Sequence, residues 1–496
     1  MKKRVLAVLM TAALIVGACP AYAWGEELSA SQIQAFEEQT DEFQEEESAD
    51  AGILPEEELP GEEGTEPEEI GAGQDGTGLE EIPKEENGED LEDGQDVELF
   101  GDGMESADTL FTQPEEPEEF SDGGELFSSE AKASTSSCVI TSCSGIAPGK
   151  IRITARVPSP VKSVDKYYYL FQVNPISNKL QKRITRTAKP EAAKSTITFT
   201  LDTAGHPEYV MAKYAIAVKT KSGSKLTSFT RASGTSYVSA PEKTSANQAA
   251  YFVPATKKGL QTTNIQELTQ TKSKTAFFNL PVSILLANNA ERVPYKYNGK
   301  TYYFNKIGGY TQLVRQCNQK GIQVTVQIML DWSSATKSLT ASGAKGSRAA
   351  YYAWNTKNAA AREKMEALFS FTAELFSAND CYVSNWILGN EINTYSVWHY
   401  PGNMSKAEYI TNYSESFRSL YNAVRSKRAS SKVFLCVDHY WNMTVQGYAA
   451  KDVVDSVAKK LNTIQKGVNW NLAYHAYPYP LTDCRFWSGK NSNYLT

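Results

Sequence analysis

The chain has 496 residues, with 50 Lys or Arg and 58 Asp or Glu, so its formal net charge is −8 and its length suffices for two or three domains. After residue 23, no apolar run approaches the length of a transmembrane helix, so we expect no membrane-spanning helix in the mature chain. The sequence has no zinc-finger spacing, basic helix or other recognition motif, which argues against nucleic acid as a partner.

Residues 1–23 have the pattern of a secretory signal peptide. Three basic residues at positions 2–4 precede an apolar run that ends at Val16, and the small residues Ala21 and Ala23 form an A-x-A pattern before a cleavage point after Ala23. The short, lysine-rich start is typical of a bacterial protein. Alternatively, residues 16–19 could form a lipoprotein acceptor site, which we favour less because Pro20 directly follows the cysteine. We therefore predict a secreted protein.

Residues 24–136 form an acidic low-complexity segment. Residues 26–130 contain 39 Asp or Glu against a single basic residue, Lys84. Such a segment buries too little apolar surface to offset its ordering entropy, so we predict disorder and a role as a solvated tether. It could instead act as a polyanion that screens the basic domains, since residues 131–496 contain 46 basic residues against 19 acidic ones. This basic surplus predicts attraction to anionic cell-wall polymers or acidic glycans at the cell surface.

Residues 137–245 read as a small all-β module. Ile151, Ile153 and Val157 alternate with polar residues, the same period of two recurs around residues 197–201 and 214–218, and turn residues separate these runs. Several short strands in about a hundred residues indicate an antiparallel β-sandwich, similar in general to fibronectin type III or immunoglobulin-like modules. A local disulfide between Cys138 and Cys143 is possible. We expect the remaining cysteines of the mature chain to be buried thiols, because no pair has metal-binding spacing.

Residues 246–496 alternate apolar runs of strand length with amphipathic segments of helix length. The predicted strands are Tyr251–Pro254, Ala276–Leu280, Ile322–Leu330, Asn385–Gly389, Lys432–Val437 and Asn471–His475, and the predicted helices are Gly309–Gln319, Asn358–Ala378, Lys406–Arg428 and Ala449–Lys460. Asn298-Gly299 predicts a hairpin over residues 295–304. Repeated strand–helix units indicate a parallel sheet covered by helices, with strands apolar on both faces.

Six such strands fit before residue 476, whereas a closed (β/α)8 barrel has eight. Either the sheet is open, or the sequence ends before a barrel of the triosephosphate isomerase (TIM) type closes. We expect the second, a barrel that is incomplete after strand six.

Polar and aromatic side chains follow four of the predicted strands. They are Asp331 and Trp332 after the third strand, Asn390 and Glu391 after the fourth, Asp438, His439 and Trp441 after the fifth, and His475 and Tyr477 after the sixth. The carboxyl ends of barrel strands meet at one rim. Carboxylates, imidazoles and flat rings on one rim suit a sugar-binding cleft. Asp331 could alternatively cap the segment that follows it instead of binding sugar.

The run WILGNE at residues 386–391 resembles the end of strand four in clan A glycoside hydrolases, which are retaining (β/α)8 enzymes. The resemblance covers about residues 250–480 and looks closest to an uncharacterised bacterial branch. It implies that Glu391 is the acid/base and that Asn390 hydrogen-bonds the sugar 2-hydroxyl. His475 and Tyr477 resemble the His-x-Tyr that often follows strand six and orients the nucleophile.

We therefore expect a glycosidase-like protein that hydrolyses O-glycosidic bonds of an oligo- or polysaccharide with retention, without metal or cofactor. Retaining enzymes hold two carboxyl groups about 5–5.5 Å apart. The resemblance places the second one on strand seven, so we expect the nucleophile beyond residue 496 and expect this chain alone to be inactive. The alternative is a non-catalytic carbohydrate- or cell-wall-binding surface protein on a degenerate barrel.

Overall fold

The computed structural model describes residues 138–157, 163–188, 196–222, 226–344 and 349–477. The predicted signal peptide (1–23) and acidic segment (24–136) lie outside the described residues, as does 478–496. Within the described part of the chain, no helix combines the length and the apolar character needed to cross a bilayer.

The N-terminal module consists of two antiparallel sheets. Its elements are β1 (Val139–Ala147), β2 (Lys150–Arg156), β3 (Tyr167–Val173), β4 (Leu180–Ala188), β5 (Thr196–Asp202), α1 (Glu208–Met211), β6 (Lys213–Ser222), β7 (Leu226–Arg231) and β8 (Ser236–Tyr237). One sheet has the order β1-β2-β5, and the other has the order β4-β3-β6-β7 with β8 paired to β6. Ile153 and Phe199 of the first sheet share a buried cluster with Leu170 and Ile216 of the second. Alternate residues of each strand therefore meet in one core between the sheets.

The cysteines of this module are free thiols, so the possible Cys138–Cys143 disulfide is not formed. Cys138 directly precedes the extended strand β1 and Cys143 lies within it. Five residues of strand span roughly 16 Å, whereas a disulfide joins Cα atoms less than about 7 Å apart. Cys317, Cys381 and Cys436 are also buried and free, as predicted. Cys484 lies outside the described residues.

The C-terminal module is built on parallel strands and covering helices. Its elements are β9 (Gly259–Gln261), α2 (Ile265–Gln270), β10 (Thr275–Pro281), α3 (Val282–Leu285), β11 (Arg292–Tyr297), β12 (Lys300–Asn305), α4 (Gly308–Gln319), β13 (Gln323–Met329), α5 (Ala359–Leu375), β14 (Asn385–Leu388), α6 (Tyr395–Trp398), α7 (Lys406–Lys427), β15 (Lys432–Val437), α8 (Ala450–Ile464) and β16 (Trp470–Tyr474). Parallel pairing gives the order β9-β10-β13-β14-β15-β16, an open half-barrel, while β11 and β12 form the predicted hairpin. Closure of eight strands stays a prediction.

The two faces of the half-barrel sheet differ in character. Val326, Leu388 and Leu435 point into the large apolar core that also contains Leu368 of α5 and Phe417 of α7. The alternate positions of β13 are instead Gln323, Thr325 and Gln327, and both glutamines are buried. The expectation of strands that are apolar on both faces is therefore wrong for β13. The amides are tolerated there because each one is hydrogen-bonded.

The predicted first strand, Tyr251–Pro254, is not a strand, and the sheet begins at β9 instead. The Tyr251 hydroxyl donates to Oδ1 of Asn385 at 2.8 Å, and the Phe252 carbonyl accepts from Nε2 of Gln323 at 2.5 Å. Since Gln323 and Asn385 are the first residues of β13 and β14, this segment covers the amino-terminal end of the sheet.

The two modules meet at a buried cluster of charges. Arg362 of α5 donates to Oε2 of Glu415 at 2.6 Å and to the Tyr237 hydroxyl at 3.0 Å. The guanidinium carbon of Arg418 lies 3.8 Å from the centre of the Tyr237 ring. Arg418 also contacts Glu366 at 3.3 Å. Tyr237 belongs to the N-terminal module, so its side chain connects that module to α5 and α7.

Candidate active site

The chain makes a left-handed kink directly after β14. Gly389 has φ 72° and Glu391, which is not a glycine, has φ 35°. A side chain in the left-handed region costs roughly 1–2 kcal/mol, so surrounding contacts must hold Glu391 there. A Cβ atom on Gly389 would lie 2.8 Å from Cδ2 of His399, which is buried beneath the kink.

The tautomer of His399 follows from its neighbours. The Tyr409 hydroxyl donates its one proton to the Ile392 carbonyl at 2.9 Å, so Nδ1 of His399 must donate to that hydroxyl, also at 2.9 Å. Burial lowers the pKa of His399 to about 3, which keeps the ring neutral. The ring therefore supports the kink by packing and hydrogen bonding, without charge.

Glu391 is brought together with His475, which directly follows β16. Oε1 of Glu391 lies 2.7 Å from Nδ1 of His475, and the Tyr477 hydroxyl lies 2.9 Å from the same nitrogen. Glu391 is 6 % exposed, while His475 and Tyr477 are half-buried. Burial and the nearby Glu391 carboxylate raise the pKa of Tyr477, so its hydroxyl keeps its proton.

The far side of the His475 ring contacts a thiol. Nε2 of His475 lies 3.2 Å from Sγ of Cys436 on β15. Burial opposes the charged imidazolium, but Cys436 and the Glu391 carboxylate outweigh it and raise the pKa of His475. The imidazole therefore lies between a sulfur and a carboxylate, and its protonation depends on both.

Asn390 is fixed by Gln327 of β13. Nε2 of Gln327 donates to the Gly389 carbonyl and to Oδ1 of Asn390, each at 2.8 Å. This contact settles which end of the Asn390 amide faces the sheet. The amide nitrogen of Asn390 is left to donate elsewhere.

A second carboxyl group, Asp438, lies at the end of β15. Its Oδ1 accepts from Nδ2 of Asn393 at 2.7 Å and from the Tyr440 backbone N–H at 2.8 Å. Burial is the main reason that the pKa of Asp438 rises to about 6; the hydrogen bonds from Asn393 and Tyr440 oppose the rise, and the Glu391 charge adds to it. The site thus contains a carboxyl group that binds a proton more strongly than an ordinary aspartate.

The other predicted site residues lie in different surroundings. His439 is buried with its ring centroid 5.6 Å from that of Tyr477, and Trp441 packs edge-on against Tyr474. Trp332 is 40 % exposed and packs against Tyr352. Asp331 accepts from the backbone N–H of Ser283, so it caps the short helix α3 after the neighbouring strand instead of the segment that follows it. Burial lowers the pKa of His439, which favours a neutral ring.

Two contacts of the site were missed at the sequence level, namely those of Cys436 and Gln327. Cys436 lies in the apolar run of β15, and Gln327 lies at one of the polar alternate positions of β13. The period of two along a strand would have placed them on the face opposite to that of Leu435 and Val326. In the described part of the chain, no group of three or more His, Cys, Asp or Glu side chains is arranged to hold a metal ion.

The loops that follow β13 and β14 are joined by backbone hydrogen bonds. The Ala353 N–H donates to the Tyr400 carbonyl at 3.0 Å, and the Tyr400 N–H donates to the Tyr351 carbonyl at 2.9 Å. Gly402 lies so close to Gly343 that a Cβ atom on Gly402 would be 2.3 Å from the Gly343 carbonyl carbon. The two loops form one wall beside the strand ends.

Comparison with known proteins gives one family match. A family model described as a family of unknown function (DUF5722) matches residues 250–496. No curated protein matches the chain.

Among solved structures, several glycoside hydrolases resemble parts of the chain. The family 1 β-glucosidase from Thermotoga maritima is 17 % identical over 40 % of this chain and 41 % of its own, with a TM-score of 0.25. The same organism's family 1 glycoside hydrolase complexed with a cyclophellitol analogue transition-state mimic is 15 % identical over 43 % of this chain and 52 % of its own, with a TM-score of 0.27.

The GH53 catalytic domain from Ignisphaera aggregans is 16 % identical over 47 % of this chain and 62 % of its own, with a TM-score of 0.27. The chain thus spans less than two thirds of the length of each of these three structures.

Proposed function

We propose that the half-barrel module belongs to a glycosidase that hydrolyses O-glycosidic bonds of an oligo- or polysaccharide with retention. Glu391 acts as the acid/base and Asn390 binds the sugar 2-hydroxyl, as the resemblance to clan A implies. The observation that carries the proposal is the position of Glu391: a buried carboxylate on a strained backbone at a strand end, 2.7 Å from an imidazole. Strain of this kind persists where the surrounding structure holds it, and strained residues cluster at active sites.

The geometry supports proton transfer by a pair of groups. A general acid must hold a proton and release it to the departing oxygen. Glu391 and His475 can share one proton across their 2.7 Å contact, so the pair stores the proton that Glu391 delivers. Tyr477 and Cys436 hold the imidazole in place from two sides.

Sugar binding is supported by the Asn390 amide. Because its oxygen accepts from Gln327, its nitrogen can donate to a hydroxyl oxygen of a bound sugar. Trp332, with its partly exposed ring, offers an apolar face to a pyranose, and Trp441 and His439 complete the proposed substrate-binding set. The proposal assigns no nucleophile among the described residues.

The test compares the protein expressed from its complete reading frame with its Glu391→Gln variant on aryl glycosides of graded leaving-group quality. Losing a general acid slows substrates with poor leaving groups by about 10²–10⁴-fold and slows those with good leaving groups far less. Glu374→Gln, an exposed glutamate at the end of α5, is the matched control and should keep full activity. Equal turnover of a poor-leaving-group substrate by Glu391→Gln and wild type would remove Glu391 from the mechanism.

A second candidate function is carbohydrate or cell-wall binding without catalysis. The low exposure of Glu391 and its contact with His475 favour this alternative, since the pair could be purely structural. A binder retains glycan affinity in Glu391→Gln and shows no turnover in either protein. Hydrolysis by wild type that is lost in Glu391→Gln rules this alternative out.

We also propose that the protein is exported and remains at the cell surface or in the medium. The basic, apolar and small-residue pattern of residues 1–23 supports this. N-terminal sequencing of the secreted protein should find Trp24 as the first residue. A protein that keeps its first 23 residues would contradict the proposal.

A further inference from the structure

A groove runs beside the hairpin of the half-barrel module. We name it the hairpin groove. It is lined chiefly by Leu286, Asn288, Arg292, Tyr302, Tyr303 and Lys364. Residues from β11, β12 and α5 and from the segment after α3 therefore meet there. The groove combines two cations with two tyrosines.

Neither cation of the groove has a carboxylate partner within the described residues. Glu291, next to Arg292 in sequence, accepts from the backbone N–H of Gly308 at 2.8 Å. Glu363, next to Lys364, accepts from the Tyr302 hydroxyl at 2.5 Å and pairs with Lys300 at 3.1 Å. The nearest acidic residues in the sequence are thus engaged elsewhere, and the groove keeps a local positive charge.

The positive charge is costly for Lys364, which is half-buried. Burial lowers the pKa of Lys364, and the charge of Arg292 lowers it further. An anion placed between the two cations would relieve both effects. A negatively charged ligand therefore suits this part of the groove, where Arg292 otherwise donates to Oδ1 of Asn288 at 3.0 Å.

Aromatic surface lies next to this charge. Tyr303 is 51 % exposed, and the guanidinium carbon of Arg292 lies 5.5 Å from its ring centre. An exposed ring beside a cation suits a sugar that carries a negative group, because the ring stacks on the pyranose while the cation binds the charge.

The groove lies towards the same edge of the sheet as Glu391. Leu286 and the hairpin follow the carboxyl end of β10, and Glu391 follows that of β14. Lys364 lies in the second turn of α5, which starts from the loop after β13 and leads back to the start of β14. Carboxyl ends of parallel strands share one edge, so a chain-like ligand could extend from the groove towards the candidate site.

We propose that the hairpin groove binds an anionic saccharide, with Arg292 and Lys364 recognising its carboxylate or sulfate group and Tyr303 stacking on its ring. This proposal names the substrate class of the proposed glycosidase and rests on that function for its biological meaning, although binding itself can be measured without turnover.

The test measures binding of three probes by calorimetry: tetragalacturonate, a sulfated galacto-oligosaccharide and neutral galactotetraose. We expect wild type to bind one of the acidic probes about tenfold or more tighter than the neutral one, and the double variant R292Q/K364Q to lose that advantage. The acidic probe that binds more tightly shows whether the groove recognises a carboxylate or a sulfate group. Tyr303→Ala should weaken binding of the preferred probe without abolishing its charge preference.

Lys296→Gln is the matched control, because Lys296 lies on β11 with Arg292 and is exposed outside the groove. It should retain wild-type affinity, and circular dichroism should show that all variants are folded. Wild type that prefers neither acidic probe, or unchanged affinity in R292Q/K364Q, would overturn the proposal.

Failure of the glycosidase proposal and failure of the groove proposal give different results in these experiments. The Glu391→Gln variant should bind the acidic probe as wild type does. If turnover proves independent of Glu391 while R292Q/K364Q still loses binding, the active-site proposal fails and the groove stands.

Discussion

Sγ of Cys436 lies 3.2 Å from Nε2 of His475, on the side of the imidazole opposite to Glu391. Cys436 is completely buried, so it is placed to influence the ring and not to react with a substrate. It is a positioning residue in the proposed mechanism, because it acts on Glu391 only through His475.

Replacing Cys436 by Ala should lower the pKa of His475, because Cys436 is the largest of the influences that raise this pKa, and burial, which lowers it, then prevails more. The chain has four histidines, so an NMR titration of the imidazole nitrogens can follow each of them. Cys317→Ala, which removes another fully buried thiol, should leave the His475 titration unchanged. An unaltered His475 titration in Cys436→Ala would show that the thiol has no electrostatic role.

Asp438→Asn should change how stability depends on pH. The pKa of Asp438 is about 6 in the folded chain and 3.8 for an ordinary aspartate. Between these values the folded state keeps a proton that the unfolded state has lost, so the contribution of Asp438 to the free energy of unfolding falls as pH rises. Asparagine removes this effect. The free energy of unfolding of the variant, relative to that of wild type, should therefore rise by up to about 3 kcal/mol between pH 4 and 7.

Urea denaturation across this pH range measures the effect of Asp438→Asn. Asp455→Asn, at an exposed residue paired with Lys451, provides the control and should follow the wild-type pH curve. Parallel curves for Asp438→Asn and wild type would mean that folding does not raise the pKa of Asp438.

Gly389→Ala should destabilise the chain by about 2–4 kcal/mol, because a side chain there meets both a left-handed backbone and the His399 ring. Gly299→Ala tests the first effect alone, since its φ is 80° and a Cβ atom there meets nothing within 4 Å. Thermal unfolding of the two variants separates the cost of the left-handed backbone from the cost of the steric clash with His399. Equal losses in both would show that His399 moves aside freely.

Glu415→Ala should lower the free energy of unfolding by about 3–5 kcal/mol, because it leaves the buried Arg362 and Arg418 with too little negative charge. Burial opposes the ionised form of Glu415, but the two arginines outweigh burial and lower its pKa. Chemical denaturation checks the loss. Glu374→Ala, which breaks an exposed pair with Lys427, should cost less than about 1 kcal/mol.

The sequence predicted the parallel strands well where the apolar pattern was long, as in Lys432–Val437, whose bounds match β15. It failed at Tyr251–Pro254, because composition does not distinguish a strand from a segment that covers the end of a sheet. It located Glu391 and His475 individually. Their 2.7 Å contact depends on the pairing of β14, β15 and β16, which joins residues 84 positions apart.

Asp331 illustrates a different limit. Its type and its position at a strand end suggested a cap or a sugar ligand, and the structure shows a cap for α3, an element 48 positions earlier. Only the parallel pairing of β10 with β13 brings those two segments together. Side-chain chemistry was therefore predictable, whereas the choice of partner required the tertiary structure.

The wall formed by the loops after β13 and β14 has a consequence for ligand selection. Because residues 351 and 353 bond to residue 400 through their backbone groups and glycines at 343 and 402 allow close contact, the conformational entropy of these segments is already lost when the chain folds. A ligand meets a preorganised surface and bears little ordering cost there. Discrimination between sugars on that side should therefore arise from fixed shape, with similar backbone conformations in the free and the bound protein.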